Sequence, residues 1–308
     1  MSVVVFGSIN MDLVVQANRL PKAGETVTGR TFFETPGGKG ANQAVAAARL
    51  KVPTAMTGQV GDDRLGHYLL EHLRKEGVEV SGIGLAPGTP TGVAVITLDE
   101  TAQNRIIVVP GANGAIGAAC LGQFSLILKP GSVLLLQLEI PLAAVEAAIE
   151  LAEERNALVI LDPAPVPAEG LPASLYHRVN IITPNLTEAE TLVGFPLHND
   201  SDIIRAAEEL LSRGVQAVII KLGERGVYWD NGYDSGFRES FPVKAVDTVG
   251  AGDAFNGALG AALYLGLSFS EAVDWGLAAG ALAVTKMGAQ ASLPTREELL
   301  ELLACKSL

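Results

Sequence analysis

Short β-branched runs take turns with helical patterns along most of this chain, and that alternation limits its fold more than any other feature. Residues 133–137, 158–161, 179–182 and 217–221 are brief apolar runs of strand length. Helical patterns occupy about 142–154, 187–193 and 202–213 between them. Parallel neighbours need a crossover, and a helix supplies one, so this order predicts an α/β fold with helices layered on a mainly parallel central sheet. Residues 3–6 read as a further buried strand. Gly77 and Gly214 stand where helices should stop. Thr187/Glu190, Ser268/Glu271 and Thr295/Glu298 have capping-box spacing. No long linker or internal repeat intervenes, so residues 1–308 are expected to form one domain.

Two segments break the alternation. Residues 13–36 and about 91–109 carry strand patterns, at 13–15, 27–33, 92–98 and 106–109, without helices between them. Either they pair into a small sheet projecting from the main layer, or they are edge strands of the main sheet.

Charge and cysteine usage exclude several classes of function. Asp and Glu number 34 against 22 Lys and Arg, a net charge of −12, which argues against nucleic-acid partners. A focused set of amides still binds a phosphate on an acidic protein. Cys120 and Cys305 form no CxxC and no disulfide framework, which fits a reducing compartment and a cytoplasmic location. The first residues lack the basic region of a signal peptide, and the apolar stretch 277–284 is bounded by Asp274 and Lys286, so no membrane contact is expected. His67 and His72 are five apart, off the i, i+4 face, and His177 and His198 have no ligand at metal-binding spacing. All four histidines read as surface or structural groups.

Three motifs carry chemistry. Residues 247–256 read Asp-Thr-Val-Gly-Ala-Gly-Asp-Ala-Phe-Asn and open a long apolar helical pattern that runs to about Leu265, with Gly266 as its stop. Unpaired N–H groups at Gly250, Ala251 and Gly252, with the positive end of the helix dipole, make an anion hole with Asp253 on its rim. Phosphoryl transfer needs that pairing of donors and base. An ordinary turn, with Asp253 in a helix's first turn, is the competing reading. The second motif is Gly37-Gly38-Lys39-Gly40-Ala41-Asn42-Gln43, ahead of a helical run. It is no Walker P-loop, because Phe33 replaces the first glycine and Gly40 follows Lys39. Third, Asn10 and Asp12 share a face in any extended segment, as a polyol site requires, unless they are turn residues after an edge strand. A dehydrogenase is disfavoured, since the first strand leads into Gly7-Ser8-Ile9-Asn10 and not into G-x-G-x-x-G.

Taken in order, these elements resemble the ribokinase-like carbohydrate kinases. The likeness rests on Gly7-Ser8-Ile9-Asn10-Met11-Asp12, Gly24-Glu25-Thr26-Val27, Gly37-Gly38-Lys39-Gly40-Ala41-Asn42-Gln43-Ala44, Gly61-Asp62-Asp63, Gln137-Leu138-Glu139, Pro184-Asn185-Leu186-Thr187-Glu188, Lys221-Leu222-Gly223-Glu224-Arg225-Gly226, residues 247–253 and Gly288-Ala289-Gln290. It covers essentially the whole chain. It implies a three-layer α/β/α fold with a small β-sheet lid, and ATP-dependent phosphorylation of D-ribose at O5.

The same resemblance assigns roles. Asp253 would be the base, and Gly250, Ala251 and Gly252 the anion hole. Asn10, Met11, Asp12, Gly38, Lys39, Gly40, Ala41, Asn42 and Glu139 would line the sugar pocket with Asp253. Asn185, Glu188, Lys221, Leu222, Gly223, Glu224, Arg225 and Gly226 would serve ATP with Gly252 and Asp253. The pair Asn185 and Glu188 would stand near Mg²⁺, although Asn185 also reads as a plain helix cap and Glu139 as a loop carboxylate before Pro141. Lys221 departs from the Thr or Ser often found there, and the role of its side chain is open. A K⁺ ion would sit among Asp247, Val249, Ala283, Lys286, Gly288 and Ser292. The lid would also form a homodimer contact. A kinase for deoxyribose, fructose or a nucleoside is the nearest rival, and a non-catalytic sugar or nucleotide sensor a more distant one.

Overall fold

The computed structural model describes residues 1–99 and 104–305. The chain opens with β1 (Val3–Phe6), β2 (Asn10–Ala17) and β3 (Gly29–Gly37). It continues through α1 (Lys39–Arg49), β4 (Thr54–Gly61), α2 (Arg64–Lys75), β5 (Glu79–Ala86), β6 (Gly92–Leu98) and β7 (Asn104–Val109). Next come α3 (Ala118–Ile127), β8 (Val133–Leu136), α4 (Leu142–Glu154), β9 (Leu158–Leu161), α5 (Ala173–Tyr176) and β10 (Ile181–Ile182). α6 (Leu186–Val193), α7 (Asp200–Ser212), β11 (Ala217–Lys221), β12 (Val227–Asp230) and β13 (Ser235–Arg238) follow. Four helices end the described chain: α8 (Ala251–Tyr264), α9 (Phe269–Ala283), α10 (Ala289–Ser292) and α11 (Arg296–Cys305).

The main sheet has the order β13-β12-β11-β10-β9-β8-β1-β4-β5. It is parallel from β11 to β5, and β12 and β13 add antiparallel strands at one edge. Period-two alternation divides its side chains between two cores. Val3, Val5, Leu135 and Ile219 pack with α1, α2, α8 and α9, while Val4, Phe6, Leu134, Leu136, Val218 and Ile220 pack with α3, α4, α6 and α7. Every residue of β1 is fully buried, and burial of each such side chain stabilises the fold by about 1.5–3 kcal/mol. The three-layer expectation holds. Strand 179–182 shortens to Ile181–Ile182, and just ahead of it the Asn180 side-chain oxygen accepts from Val159 N at 2.7 Å.

The two segments without helices form a second sheet of order β3-β2-β6-β7, separate from the main one. β2 begins at Asn10, three residues earlier than the pattern at 13–15 suggests, and pairs with β3 and β6 along its length. Of the segment 91–109, residues 100–103 lie outside the described residues.

One capping assignment is corrected. α6 is capped by Asn185 with Glu188, not by Thr187 with Glu190. Asn185 is extended (φ −81°, ψ 179°), so the helix begins at once after it and Thr187 already lies inside the first turn. Glu190 instead accepts from Leu197 N at 2.8 Å. The boxes at Ser268/Glu271 and Thr295/Glu298 form as spaced. Among the described residues, no helix is long and apolar enough to cross a membrane.

Candidate active site

From β1 the parallel sheet continues to β4 and β5 on one side and to β8, β9, β10 and β11 on the other. The reversal leaves a crevice beyond the carboxyl ends of β1 and β8, where open α/β sheets hold ligands. Two groups close across it. Ser8 Oγ, after β1, donates to Glu139, after β8, and Lys39 N donates to the same carboxylate at 3.1 Å. Glu139 therefore sits against the amino end of α1, where a negative charge is favoured.

Asp253 is the centre of the site. It lies in the first turn of α8 and is 6% exposed. Asn42 Nδ2 donates to its Oδ2 at 2.8 Å and Gln43 Nε2 to its Oδ1 at 3.1 Å, both from the first turn of α1. Close helix packing brings these turns together. A Cβ on Gly257, one turn beyond Asp253, would lie 2.5 Å from Ala46 Cβ and 2.8 Å from Gln43 O, so only glycine allows α8 to approach α1 this closely. The turn ahead of α8 depends on Gly250, whose φ of 78° disfavours any residue with a side chain. Ala251 and Gly252 follow it on the same cleft wall, and the Ala251 N–H, expected to be unpaired, donates to Thr248 O at 3.4 Å.

Burial raises the Asp253 carboxyl to about 6, opposed by the Lys39 ammonium, helped by the Asp162 charge, and opposed again by the Asn42 and Gln43 hydrogen bonds. Burial also raises Asp12 to about 7, and the charges of Glu139 and Asp253 add to the effect. Lys39 loses water as well, which works against its charge, yet Asp253, Asp162, Glu139 and Glu188 together hold it above the ordinary lysine range. The result is a cationic lysine close to Asp253, a carboxyl that takes a proton more easily than an exposed one.

Asn10 and Asp12 share the buried face of β2, while Met11 points the other way into the core. Asn10 accepts from Asn113 Nδ2 at 2.7 Å. Ala41 is likewise a core residue, so Met11 and Ala41 offer a ligand only backbone; Gly38 and Gly40 lie at the start of α1 beside them. A cleft of about 1260 Å³ runs on from Lys39 and Asp253. Asn185, Glu188, Lys221, Gly223, Glu224, Arg225 and Gly226 line it with Gly250, Ala251 and Gly252. Leu222 is not part of that wall; its side chain joins the core under β11. Arg225 reaches outward and pairs with Asp200. Burial raises the Glu188 carboxyl, opposed by Lys221 and helped by Asp162.

The proposed cation residues gather at the loop before α8 and the turn before α10. The Asp247 carboxylate accepts from Val249 N at 3.1 Å and Gly288 N at 2.8 Å, tying the two segments together. Ala283 O accepts from Lys286 N at 3.3 Å, and Ser292 Oγ turns onto Ala289 O at 2.8 Å. The Lys286 side chain leaves the group and pairs with Glu298. Among the described residues, no three His, Cys, Asp or Glu side chains converge as a metal cluster. His67 pairs with Asp62 and His72 with Gln290, while His177 and His198 are exposed.

Sequence reasoning missed Asp162. It follows β9 directly, is 2% exposed, and accepts from Gln43 Nε2 at 3.0 Å and Lys221 Nζ at 2.9 Å. The signal was a carboxylate at the carboxyl end of a parallel strand. Asn113, which accepts from Ile9 N at 2.9 Å and fixes Asn10, lies in a short 3₁₀ turn that gave no signal.

Comparison with known proteins matches this geometry to one family. The family model described as pfkB family carbohydrate kinase matches residues 1–296. A ribokinase of Haemophilus influenzae is 39% identical over 98% of each chain. A deoxyribokinase of Salmonella typhi is 34% identical over 99% of each. Among solved structures, Arabidopsis thaliana ribokinase complexed with ribose and ATP superposes with a TM-score of 0.89 at 34% identity, covering 98% of both chains.

Proposed function

Because the chain belongs to the pfkB family of carbohydrate kinases, we propose that it transfers the γ-phosphoryl group of ATP to O5 of D-ribose, giving ribose 5-phosphate and ADP. The observation that carries this reading is the buried Asp253 carboxylate, held on both oxygens by Asn42 and Gln43 at the mouth of a glycine-led helix. The sugar lies over Asn10, Asp12, Lys39, Asn42 and Glu139. Asp253 accepts the O5 proton as that oxygen forms its bond to phosphorus, and the bond from phosphorus to the ADP oxygen breaks. The amides of Gly250, Ala251 and Gly252 hold the charge on the transferring group. The nucleotide extends past Lys221, Gly223 and Gly226.

Mg²⁺ enters with ATP. The Glu188 carboxylate beside Asn185 on the cleft wall would suit an ion that keeps most of its waters, and that ion would neutralise phosphate charge there. For K⁺, the carbonyl-rich turns joined by Asp247 offer hard oxygen donors, and Asp247, Val249, Ala283, Lys286, Gly288 and Ser292 would hold it, mostly by backbone, to order the anion hole. The second sheet acts as a lid whose closure keeps water from the phosphoryl group. Its outer strands expose Phe32, Phe33, Ile106, Ile107, Val108 and Val109, divided between the two faces of the sheet, and this apolar surface supports a homodimer through the lid. We read residues 1–308 as one catalytic unit and place it in the cytoplasm, with both cysteines free.

The deoxyribokinase relative favours one second reading, a preference for 2-deoxyribose. The deciding test is a coupled ADP-release assay with Mg-ATP, with and without K⁺, on ribose, 2-deoxyribose, fructose and adenosine. Ribose-dependent turnover stimulated by K⁺ is expected. Preference for another acceptor moves the substrate, and ATP binding without turnover on any acceptor sinks the kinase reading.

A further inference from the structure

Lys221 and Asp162 form an ion pair in the wall of the cleft, along the path proposed for the nucleotide. Lys221 ends β11, where its own N–H donates to Pro184 O at 2.8 Å and its backbone bridges to Asn185. The side chain is thereby carried to the strand end where Asn185, Glu188 and the start of α8 converge. Its Nζ stands 3.4 Å from the point a Cβ on Gly252 would occupy. The ammonium therefore lies beside Gly252, in the first turn of α8.

The two partners differ in what a ligand can reach. Both line the cleft, but the Lys221 side chain is 15% exposed while Asp162 is 3% exposed. One of the three ammonium donors goes to Asp162, which leaves two for an anion. Asp162 is fixed on its other oxygen by Gln43 Nε2, the same nitrogen that donates to Asp253. Gln43 is itself held, its Oε1 accepting from Gln137 Nε2 at 2.7 Å. The ammonium is thus anchored to the scaffold that positions the base.

We propose that Lys221 is a catalytic cation of this kinase, binding the phosphate chain of the nucleotide beside Gly252, and that Asp162 is its positioning residue. The proposal rests on the phosphoryl-transfer reading and specifies how this chain carries it out. Asp162, Glu188 and Asp253 place three carboxyl groups around the phosphate end of the cleft, and a polyanion entering there meets repulsion unless cations offset it. Lys39 offsets it on the sugar side and Lys221 on the nucleotide side. Asp162 holds the ammonium in place before the nucleotide arrives, so little side-chain freedom is lost on binding. Without Lys221, Asp162 becomes an unpaired buried carboxylate next to the phosphates, and loss of the cation is compounded by a misplaced anion.

That compounding gives the test. Lys221→Met, Asp162→Asn and the double variant are compared with the unaltered protein by calorimetric binding of ATP, ADP and adenosine, by kcat and KM, and by thermal melting. Lys221→Met is expected to weaken ATP and ADP binding at least tenfold, leave adenosine binding unchanged, and lower kcat on the order of 10–100-fold. The double variant is expected to recover part of the ATP affinity lost in Lys221→Met, because the unpaired carboxylate is gone. Unchanged ATP binding and kcat in Lys221→Met overturn the proposal. So does a pattern in which the variants move only the melting temperature, since that marks a purely structural pair. The binding arm needs no acceptor: if the unaltered protein binds ATP but turns over no sugar, the kinase reading fails while the phosphate contact is still judged.

Discussion

Asn42 Nδ2 lies 2.8 Å from Asp253 Oδ2 although 211 positions separate the two residues in the chain. The contact joins the start of α1 to the glycine-led start of α8. In the proposed reaction it couples the sugar-facing and phosphate-facing halves of the cleft. Gln290 extends the link, donating to Asn42 Oδ1 at 3.1 Å and bonding His72 on its far side at 2.8 Å.

Replacing Asp253 with Asn keeps the shape of the site and removes the proton acceptor. A fall in kcat of roughly a hundred- to ten-thousandfold is expected, with far smaller changes in the binding of ATP and sugar. Steady-state kinetics on a variant with an unaltered melting curve checks this. Near-normal turnover would remove Asp253 from the base role.

The acid limb of the rate profile should report Asp253. The carboxyl must be ionised to accept a proton, and burial places it at about 6, so kcat/KM is expected to fall as pH drops through that value and to level off above it. A limb near pH 4, where an ordinary carboxylate titrates, would contradict this.

Asp12 should make stability depend on pH in the opposite sense to a salt-bridged acid. Its folded value of about 7 exceeds the unfolded one, so the native state binds more protons between roughly pH 4 and 7 and stability declines as pH rises through that window. Asp12→Asn removes the share of this decline that Asp12 carries and leaves that of Asp253. The variant is expected to melt a few degrees above the unaltered protein at pH 8 and to show little difference at pH 4. Equal melting temperatures at pH 8 would mean that Asp12 pays no burial cost.

Gly257→Ala tests whether helix approach builds the site. The added methyl would press on Ala46 Cβ and Gln43 O, and overpacking of this kind costs about 1–3 kcal/mol. Because α1 must yield, Asn42 and Gln43 retreat from Asp253, and kcat is expected to fall along with stability. A variant that loses stability alone would show that the amide contacts do not matter to turnover.

The lid surface should decide oligomeric state. Ile107, 66% exposed on β7, is replaced by Asp and the variant sedimented at assay concentration. The unaltered chain is expected to run as a dimer and the variant as a monomer. A monomeric parent would dispose of the interface.

The sequence by itself determined the alternation of strands and helices from 133 to 221, the strand-only segments of the second sheet, and the glycine-led start of α8. These are written in spacing, in capping residues and in positive-φ glycines, all of which act over a few neighbouring positions. It left open whether 13–36 and 91–109 were edge strands, and tertiary pairing of β2 with β6 answered that. It also offered a capping pair at Thr187/Glu190 and a plain cap at Asn185 for α6, and the decision between them fell to where β10 hands the chain to Pro184. The contacts of Asp162 were invisible. Lys221 is 59 positions away and Gln43 is 119, and they meet only because the main sheet brings the carboxyl ends of β9, β10 and β11 to one edge while α1 packs over it. Local preference sets which element a residue joins. Which charge faces which across the cleft depends on strand order and helix approach, and those are properties of the whole packed chain.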